Sequence, residues 1–426
     1  MHATIPPERL PEAIHELTQT FEKRGRKAWL VGGCVRDLLL GKEAIDFDFA
    51  TNARPEETRR FFKRTIPTGM AHGTITVLLR GMSFEVTKLR GEKAYSDRRR
   101  PDAIEFVDDI NEDLARRDFT INAIAYDLEA QEIIDPFLGR DDLRAGIIRT
   151  VGDPLERFRE DGLRILRGAR FASTLEFSLE PATEAAFGPS LDVFAKVSRE
   201  RIRDEWVKAM RARRPSIAFE IMARTGILRT IDPELGAFAE DGAQAFQRAL
   251  EAMDRLDPDF CLRLAALLRE SRAHALGDAE ASARWAEKFL ARLRCSREEI
   301  RRIPLLIRAS AKLPSGDDPA EWRALARAAG RDEWENALAI LRACDPENEY
   351  KIKEVEAKIR KDLDSGLPLS EKELEIMGSD LIRELGIQPG PAIGQLLRAL
   401  LEEALADPSL NERGRLLERA RALAEA

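Results

Sequence analysis

At 426 residues the chain is too long for one ordinary hydrophobic core, and two to four domains are expected. Hydrophobic residues make up 44% and charged residues 34%, a balance that excludes a disordered chain, and no apolar run is long enough to span a bilayer. The net charge of −7 argues at first against a nucleic-acid partner, yet residues 157–214 hold 13 Lys and Arg against 9 Asp and Glu, a local +4, and Arg98, Arg99 and Arg100 form a second basic knot.

The opening "MHATIPPERLPEA" lacks an apolar core, so no signal peptide is expected. A helix is predicted over residues 8–25, then a strand at "KAWLV" and a second at "DFDFA". "PEETRRFFK" starts a helix with Pro55 at an early position. "GTITVLLR" and "MSFEVTKLR" read as a hairpin turning at Arg80-Gly81. A polar loop over 91–103 precedes two short helices, "NEDLARRD" and "TINAIAYD", and a last strand at "EIIDPF". From 151 onward strand signals stop. There Asp153 is a natural N-cap, with Pro154 at the first helical position and Glu156 near the third. The reading divides the chain into a head over 1–150, a helical neck over 151–215, a helical body over 216–345 and a tail over 346–426. The four cysteines (Cys34, Cys261, Cys295, Cys344) are far apart and join no histidine cluster. That argues against a zinc site or disulfide framework and for a reducing cytoplasm.

Residues two apart on a strand share a face, so Asp46 and Asp48 project together while Phe47 and Phe49 face the core. Two such carboxylates repel unless a cation lies between them, and an oxygen-seeking ion such as Mg²⁺ suits the pair. A solvated edge-strand face is the plain alternative. The setting favours the ion: Gly32-Gly33 follows an apolar strand and opens a helix, where free N–H groups receive anions, and Arg36 lies on its first turn. Strand, glycine turn, helix and Asp-x-Asp together are the parts that metal-assisted phosphoryl or nucleotidyl transfer needs.

These residues carry a resemblance. "GGCVRD" followed by "DFDFAT" resembles the nucleotidyltransferase head of the DNA polymerase β superfamily. "RRDFTINAIAYD", "EDGLRILRGARF" and "RERIRDEW" resemble the further motifs of class II tRNA nucleotidyltransferases, the CCA-adding enzymes, and of their bacterial poly(A) polymerase relatives. The match is close over 28–215 and looser beyond. It implies an α+β fold: a nucleotidyltransferase head with a small β-sheet, followed by an all-α neck, body and tail. It implies that Asp46 and Asp48 hold two Mg²⁺ ions. Glu85, in "FEVT", is either a third acid beside them or an exposed strand residue paired with Lys88 or Arg90.

Continued from residue 154, a helix gathers Leu155, Phe158, Gly162, Ile165, Leu166 and Ala169 on one face and leaves Asp161, Arg164, Arg167 and Arg170 on the other. By resemblance, Asp161 and Arg164 read the base. The Asp accepts from the exocyclic amine of C or A and the Arg donates to the adjacent ring nitrogen. Arg167 and Arg170 fall to the nucleotide and its phosphates. The resemblance gives Gly32, Gly33 and Arg36 to the nucleotide, and Arg117, Asp118 and Asn122 to its sugar and phosphates. Asp118 also reads as an N-cap. Arg201 and Glu205 read as a structural ion pair. The loop "GEKAYSDRRRP" matches the family's flexible loop, whose presence disfavours an enzyme adding only CC. "PGPAIG" opens a tail helix whose N–H groups suit an RNA phosphate or simply join packed helices.

The expected activity is template-independent addition of CCA to tRNA from CTP and ATP, with tRNA as partner and no membrane or DNA. An A-adding enzyme or a poly(A) polymerase would share this site. An inactive RNA-binding protein on the same scaffold is the rival from another class. An aminoglycoside nucleotidyltransferase shares the head chemistry but has little use for the helical remainder.

Overall fold

The computed structural model describes residues 4–91, 105–276 and 279–425. Helix α1 (Glu12–Glu22) forms where Ile14, Leu17 and Phe21 recur at helical spacing, and all three are buried. Strand β1 (Ala28–Val31) runs into Gly32, at φ +74°, and α2 (Gly33–Leu39) begins there. Next come β2 (Asp48–Thr51), α3 (Pro55–Phe61), β3 (Thr65–Gly69), β4 (Thr74–Leu79) and β5 (Met82–Lys88). Arg80 and Gly81 both take positive φ between β4 and β5, as a type I′ hairpin requires. Helix α4 (Ile110–Ala115), a 3-10 turn at Thr120–Asn122, β6 (Ala125–Asp127), β7 (Glu132–Ile134), α5 (Gly139–Ala145) and β8 (Ile147–Ile148) complete the head. Helices α6 (Pro154–Glu160) and α7 (Leu163–Leu175) and strand β9 (Ser178–Leu179) follow.

Seven strands pair in the order β3-β4-β5-β2-β1-β6-β7, and β2 and β5 run parallel. Each face of this sheet has its own core. Phe21, Phe49, Phe84 and Val86 belong to one, and Trp29, Ala50, Leu89 and Leu114 to the other. A single row of partners crosses four strands: Asp48 pairs with Glu85, Glu85 with Thr76, and Thr76 with Ile66.

The structure corrects the sequence reading at several points. Strand β2 starts at Asp48, so Asp46 lies just before it; burial still alternates, with Phe47 and Phe49 inside and both acids exposed. "TINAIAYD" is a 3-10 turn and a strand, not a helix. Pairing of β6 with β1 and β7 wins over a marginal helical propensity, and the Tyr126 hydroxyl donates to the Ile5 carbonyl. The predicted helix from 154 is broken at Asp161, whose backbone is extended (φ −150°, ψ 105°). Strand pairing does not end at 151, because β9 pairs with β8. The edge strand β3 carried no clear sequence signal. The loop expected over 91–101 and the basic knot at 98–100 lie outside the described residues from 92 onward.

The chain forms two compact units: Met1–Val197 with Arg224–Thr230, and Ser198–Ala223 with Ile231–Ala426. The head and the 151–197 part of the predicted neck therefore share one unit. The described residues of the second unit are helical, without strands. Its buried Arg263 donates to the carbonyls of Leu256, Met210 and Ala212, which satisfies the C-terminal end of the helix Arg199–Ala209. Glu205 of that helix accepts from Lys208 at 3.1 Å. A separate core holds Trp322, Trp334, Leu338, Ile352 and Leu400, and the helix Pro391–Ala406 starts after Gly390 as "PGPAIG" suggested. Among the described residues no helix is long and apolar enough to cross a membrane.

The break between α6 and α7 makes a prediction. A Cβ on Gly162 would stand 2.7 Å from the backbone of Val193 and Phe194. Gly162→Ala is expected to destabilise the protein by about 1–3 kcal/mol in urea unfolding. Gly188→Ala, with open space at its Cβ, should change stability by less than about 0.5 kcal/mol. Equal stability of the two variants would contradict this close packing.

Candidate active site

Asp48 and Glu85 sit side by side on the parallel pair β2 and β5, with Asp46 two residues before Asp48. No ion pair joins Glu85 to Lys88 or Arg90 among the described residues. Lys88 is buried and donates to Asn52, Val107 and Asp108, while Arg90 donates to the His72 carbonyl and Thr74. The alternative partners proposed for Glu85 are thus engaged elsewhere.

The Asp48 carboxyl is held above its ordinary pKa. Burial of the carboxylate contributes most, although the residue keeps an exposed edge; the charges of Glu85 and Asp46 add to it, and Arg117 opposes. Like charges gathered with no ion pair among the described residues, and only the Arg117 charge opposing them, fit a site for a cation. Among the described residues no three His, Cys, Asp or Glu side chains form a ready-made metal cage. A Mg²⁺ ion does not need one: it binds through one or two carboxylates and completes its shell with substrate phosphates and water. Asp46 and Asp48 have the donor chemistry for that.

Beside these acids lies a continuous polar network. The Arg36 Nη1 donates to the Asn122 side-chain oxygen at 2.8 Å, and its Nε and Nη2 grip Asp37 at 2.9 and 3.0 Å. The Asn122 amide donates to Asp118 Oδ1 at 3.2 Å, and the Phe119 N–H donates to the same oxygen at 2.9 Å. Arg167 donates to Asp118 Oδ2 through Nε at 2.7 Å and lies within 2.6 Å through Nη2. The Asn122 amide, the Phe119 N–H and Arg167 thus converge on one buried carboxylate, and Arg36 joins them through Asn122. Burial pushes the Asp118 pKa up, but the Arg167 charge and the hydrogen bonds win, and the net shift is downward. Its lone pairs are taken up within the protein, so Asp118 anchors Arg167 and Asn122. It is not the N-cap of a helix.

Arg117 completes the network. It donates to Asp113 through Nη2 at 3.0 Å and Nε at 3.3 Å, and to the Asn122 carbonyl at 3.5 Å. A Cβ on Gly32 would stand 2.9 Å from Arg117 Nη1, so glycine both permits the positive φ and leaves room for this guanidinium. The Gly32 N–H itself donates to the Ile124 carbonyl at 3.2 Å and is not open to a phosphate.

On α6 and α7, Asp161, Arg164, Arg167 and Arg170 are half-buried, while Phe158, Gly162, Ile165, Leu166 and Ala169 are buried. The three-residue repeat survives the helix break: Asp161 closes α6, Gly162 opens α7, and the Asp161 Oδ1 accepts from the Leu163 N–H at 3.0 Å across the junction. Arg164 donates to Glu160 at 2.7 Å, to the Arg157 carbonyl at 3.2 Å and to the Arg116 carbonyl at 2.9 Å. Arg36, Arg167 and Arg170 surround the Phe171 ring at 5.3, 5.3 and 3.8 Å from its centroid.

Sequence reasoning missed three members of this site. Asp113 is buried and holds both Arg116 and Arg117; burial raises its pKa, but the two arginines outweigh this and bring it down. Its spacing of three and four residues from those arginines on a helix was the available signal. Glu160, four residues before Arg164, was visible on the same ground. Phe171 carried no signal before its three arginine neighbours were known.

Comparison with known proteins agrees with this architecture. Residues 28–149 match the poly(A) polymerase head domain family. Residues 176–238 match the "Probable RNA and SrmB- binding site of polymerase A", and residues 276–420 match tRNA nucleotidyltransferase domain 2. The CCA-adding enzyme of Streptococcus gordonii is 35% identical, over 95% of this chain and 96% of its own length. That of Lactiplantibacillus plantarum is also 35% identical, over 97% of each. The Bacillus stearothermophilus CCA-adding enzyme in complex with CTP superposes with a TM-score of 0.77 at 31% identity, covering 97% of this chain and 98% of that one. The Thermotoga maritima CCA-adding enzyme complexed with tRNA, at 21% identity and a TM-score of 0.63, shares the fold.

The raised pKa of Asp48 has a testable sign. A carboxylate whose folded pKa lies above its unfolded value destabilises the fold once ionised, and that penalty vanishes as pH falls below about 4. Asp48→Asn should therefore raise Tm at pH 7, with a gain that shrinks toward pH 3, while nucleotide incorporation is lost. A fall in Tm at pH 7 would contradict the crowding of charge at this site.

Proposed function

The chain belongs to the family of CCA-adding enzymes, and from that premise we propose how its residues carry out the reaction. It is a nucleotidyltransferase that extends tRNA 3′ ends with C, C and A, taking CTP and ATP as substrates without a nucleic-acid template. The observation that carries the residue assignments is the chain of bonds from Arg36 through Asn122 and Asp118 to Arg167, lying beside acids that no cation of the described chain pairs with.

Asp46 and Asp48 hold Mg²⁺, two ions in this reading, with Glu85 as the neighbouring acid. The metal supplies Lewis-acid assistance to the attacking 3′-hydroxyl and to the leaving pyrophosphate. Arg36, Arg117, Arg167 and Arg170 supply positive charge for the triphosphate. Three of them are already oriented by Asn122, Asp113 and Asp118, so little rearrangement is needed when a nucleotide arrives. Asn122 takes the sugar side. Gly32 and Gly33 keep the backbone close without obstructing Arg117 and Arg36.

Asp161 and Arg164 choose the base. The three bonds of Arg164 use its two Nη groups and leave Nε–H and one Nη2–H without a partner among the described residues. That is one planar edge, suited to a ring nitrogen. Cytosine and adenine both present an exocyclic amine beside such a nitrogen; uracil and guanine present a carbonyl there. One acid–arginine pair can therefore accept CTP and ATP and refuse UTP and GTP. The neck over 151–215 reads the base, and the helical segments 216–345 and 346–426 receive the tRNA.

The test uses purified protein with Mg²⁺ and labelled tRNA ending before CCA, after C and after CC, each with CTP, ATP, UTP or GTP. The expected result is a CCA end on the bare tRNA from CTP plus ATP, a stop after A, and no use of UTP or GTP. Growth by one A from the CC-ended tRNA alone would make it an A-adding enzyme. Long A tails on any RNA would make it a poly(A) polymerase.

A further inference from the structure

The segment "RRFFKR", residues 59–64, places four cations, Arg59, Arg60, Lys63 and Arg64, at the end of α3 and the entry to β3. All four are exposed. Among the described residues none forms an ion pair, and Arg59 meets only the Met70 sulfur, at 3.8 Å. This is unusual in a chain whose arginines are widely paired, as Arg26 is with Glu57 and Arg80 with Glu12 and Glu16. A surface hollow of about 620 Å³ lies among them. Its lining includes these four cations against one acid, Glu56, over a floor of Phe62 and Leu78.

The backbone that presents these charges is firmly held. Phe61 and Phe62 both pack on Phe21, at ring distances of 5.6 and 5.5 Å, and the Arg64 carbonyl accepts from the Leu78 N–H at 3.0 Å. The patch also has a fixed relation to the acids. The row Asp48, Glu85, Thr76, Ile66 crosses from β2 to the edge strand β3, three strand spacings or roughly 14 Å, and Arg64 lies two residues before Ile66.

We propose that Arg59, Arg60, Lys63 and Arg64 form an RNA-backbone contact surface on the head, which holds phosphates of the RNA substrate away from its reacting 3′ end. The inference rests on the reading of this chain as an RNA-extending enzyme. Exposed, mutually repelling cations favour an extended polyanion over a small anion, which is normally held by buried donors and N–H groups. They carry no base-reading geometry, so the surface contributes affinity and placement rather than sequence choice. These four cations are separate from the residues given to the nucleotide and the metal.

The experiment compares the parent with the variant Arg59→Gln, Arg60→Gln, Lys63→Gln, Arg64→Gln and with the charge-keeping variant Arg59→Lys, Arg60→Lys, Lys63→Arg, Arg64→Lys. tRNA binding is titrated between 50 and 200 mM salt, values chosen for their effect on phosphate contacts. For the Gln variant, Kd for tRNA should rise at least about tenfold at low salt, and the slope of log affinity against log salt should fall by about 3, at roughly 0.7–0.9 for each of the four lost phosphate contacts. The charge-keeping variant should retain the parent slope. KM for CTP and the turnover at saturating tRNA should be unchanged in both. Unaltered tRNA affinity and salt slope in a folded Gln variant would overturn the proposal. If the parent itself binds tRNA but adds no nucleotide, the enzymatic reading fails separately, since the binding titration does not depend on turnover.

Discussion

One buried carboxylate organises this site. Asp118 is almost wholly removed from water, and an ion in that position is tolerated only because Arg167, the Asn122 amide and the Phe119 N–H all address it. Those bonds are also what fix the surroundings. Arg167 brings in α7, and Asn122, held from one side by Asp118, holds Arg36 of α2 from the other. Three segments far apart in the chain are thereby set to one geometry. Asp113 does the same for Arg116 and Arg117 a few residues earlier. Carboxylates inside, guanidinium groups at the rim: this arrangement keeps several positive charges close together and oriented before any phosphate arrives.

The acids on β2 and β5 follow the opposite rule. Asp48 has like-charged neighbours and no ion-pairing cation among the described residues, and its carboxyl is shifted toward the protonated form. A fold selected for stability alone would not gather these groups. The surplus negative charge at the acids and the surplus positive charge at the arginines are complementary to a metal-bound triphosphate. The stability lost at one place is offset by the networks and cores around it.

Much of this was legible in the residues themselves. The hairpin turn at Arg80-Gly81, the N-cap at Asp153 and the alternation of Phe47 and Phe49 with the two acids are local effects, and local rules describe them. The repeat Asp161, Arg164, Arg167, Arg170 was also legible, but the helix break within it was not. That break depends on Gly162 meeting the backbone of Phe194, a contact between segments that no periodicity reports. "TINAIAYD" was misread because its helical and extended propensities are close, and pairing with β1 decides between them. Strand β3, "TIPTG", is a short edge strand containing a proline and shows little strand pattern. Asp113 and Glu160 escape the sequence because an acid near an arginine on a helix is common; burial sets Asp113 apart, and Glu160 is set apart only by the arginines it holds.

Internal acids, on this account, place the arginines that bind the nucleotide. A double-mutant cycle of Asp118→Asn and Arg167→Gln, read on CTP affinity in variants shown to be folded, tests this most directly. If Asp118 acts through Arg167, each single change weakens CTP binding and the double change adds little, giving a coupling above about 1 kcal/mol. Effects that simply add would mean that the two residues act independently, and the account of a pre-set arginine site would be wrong.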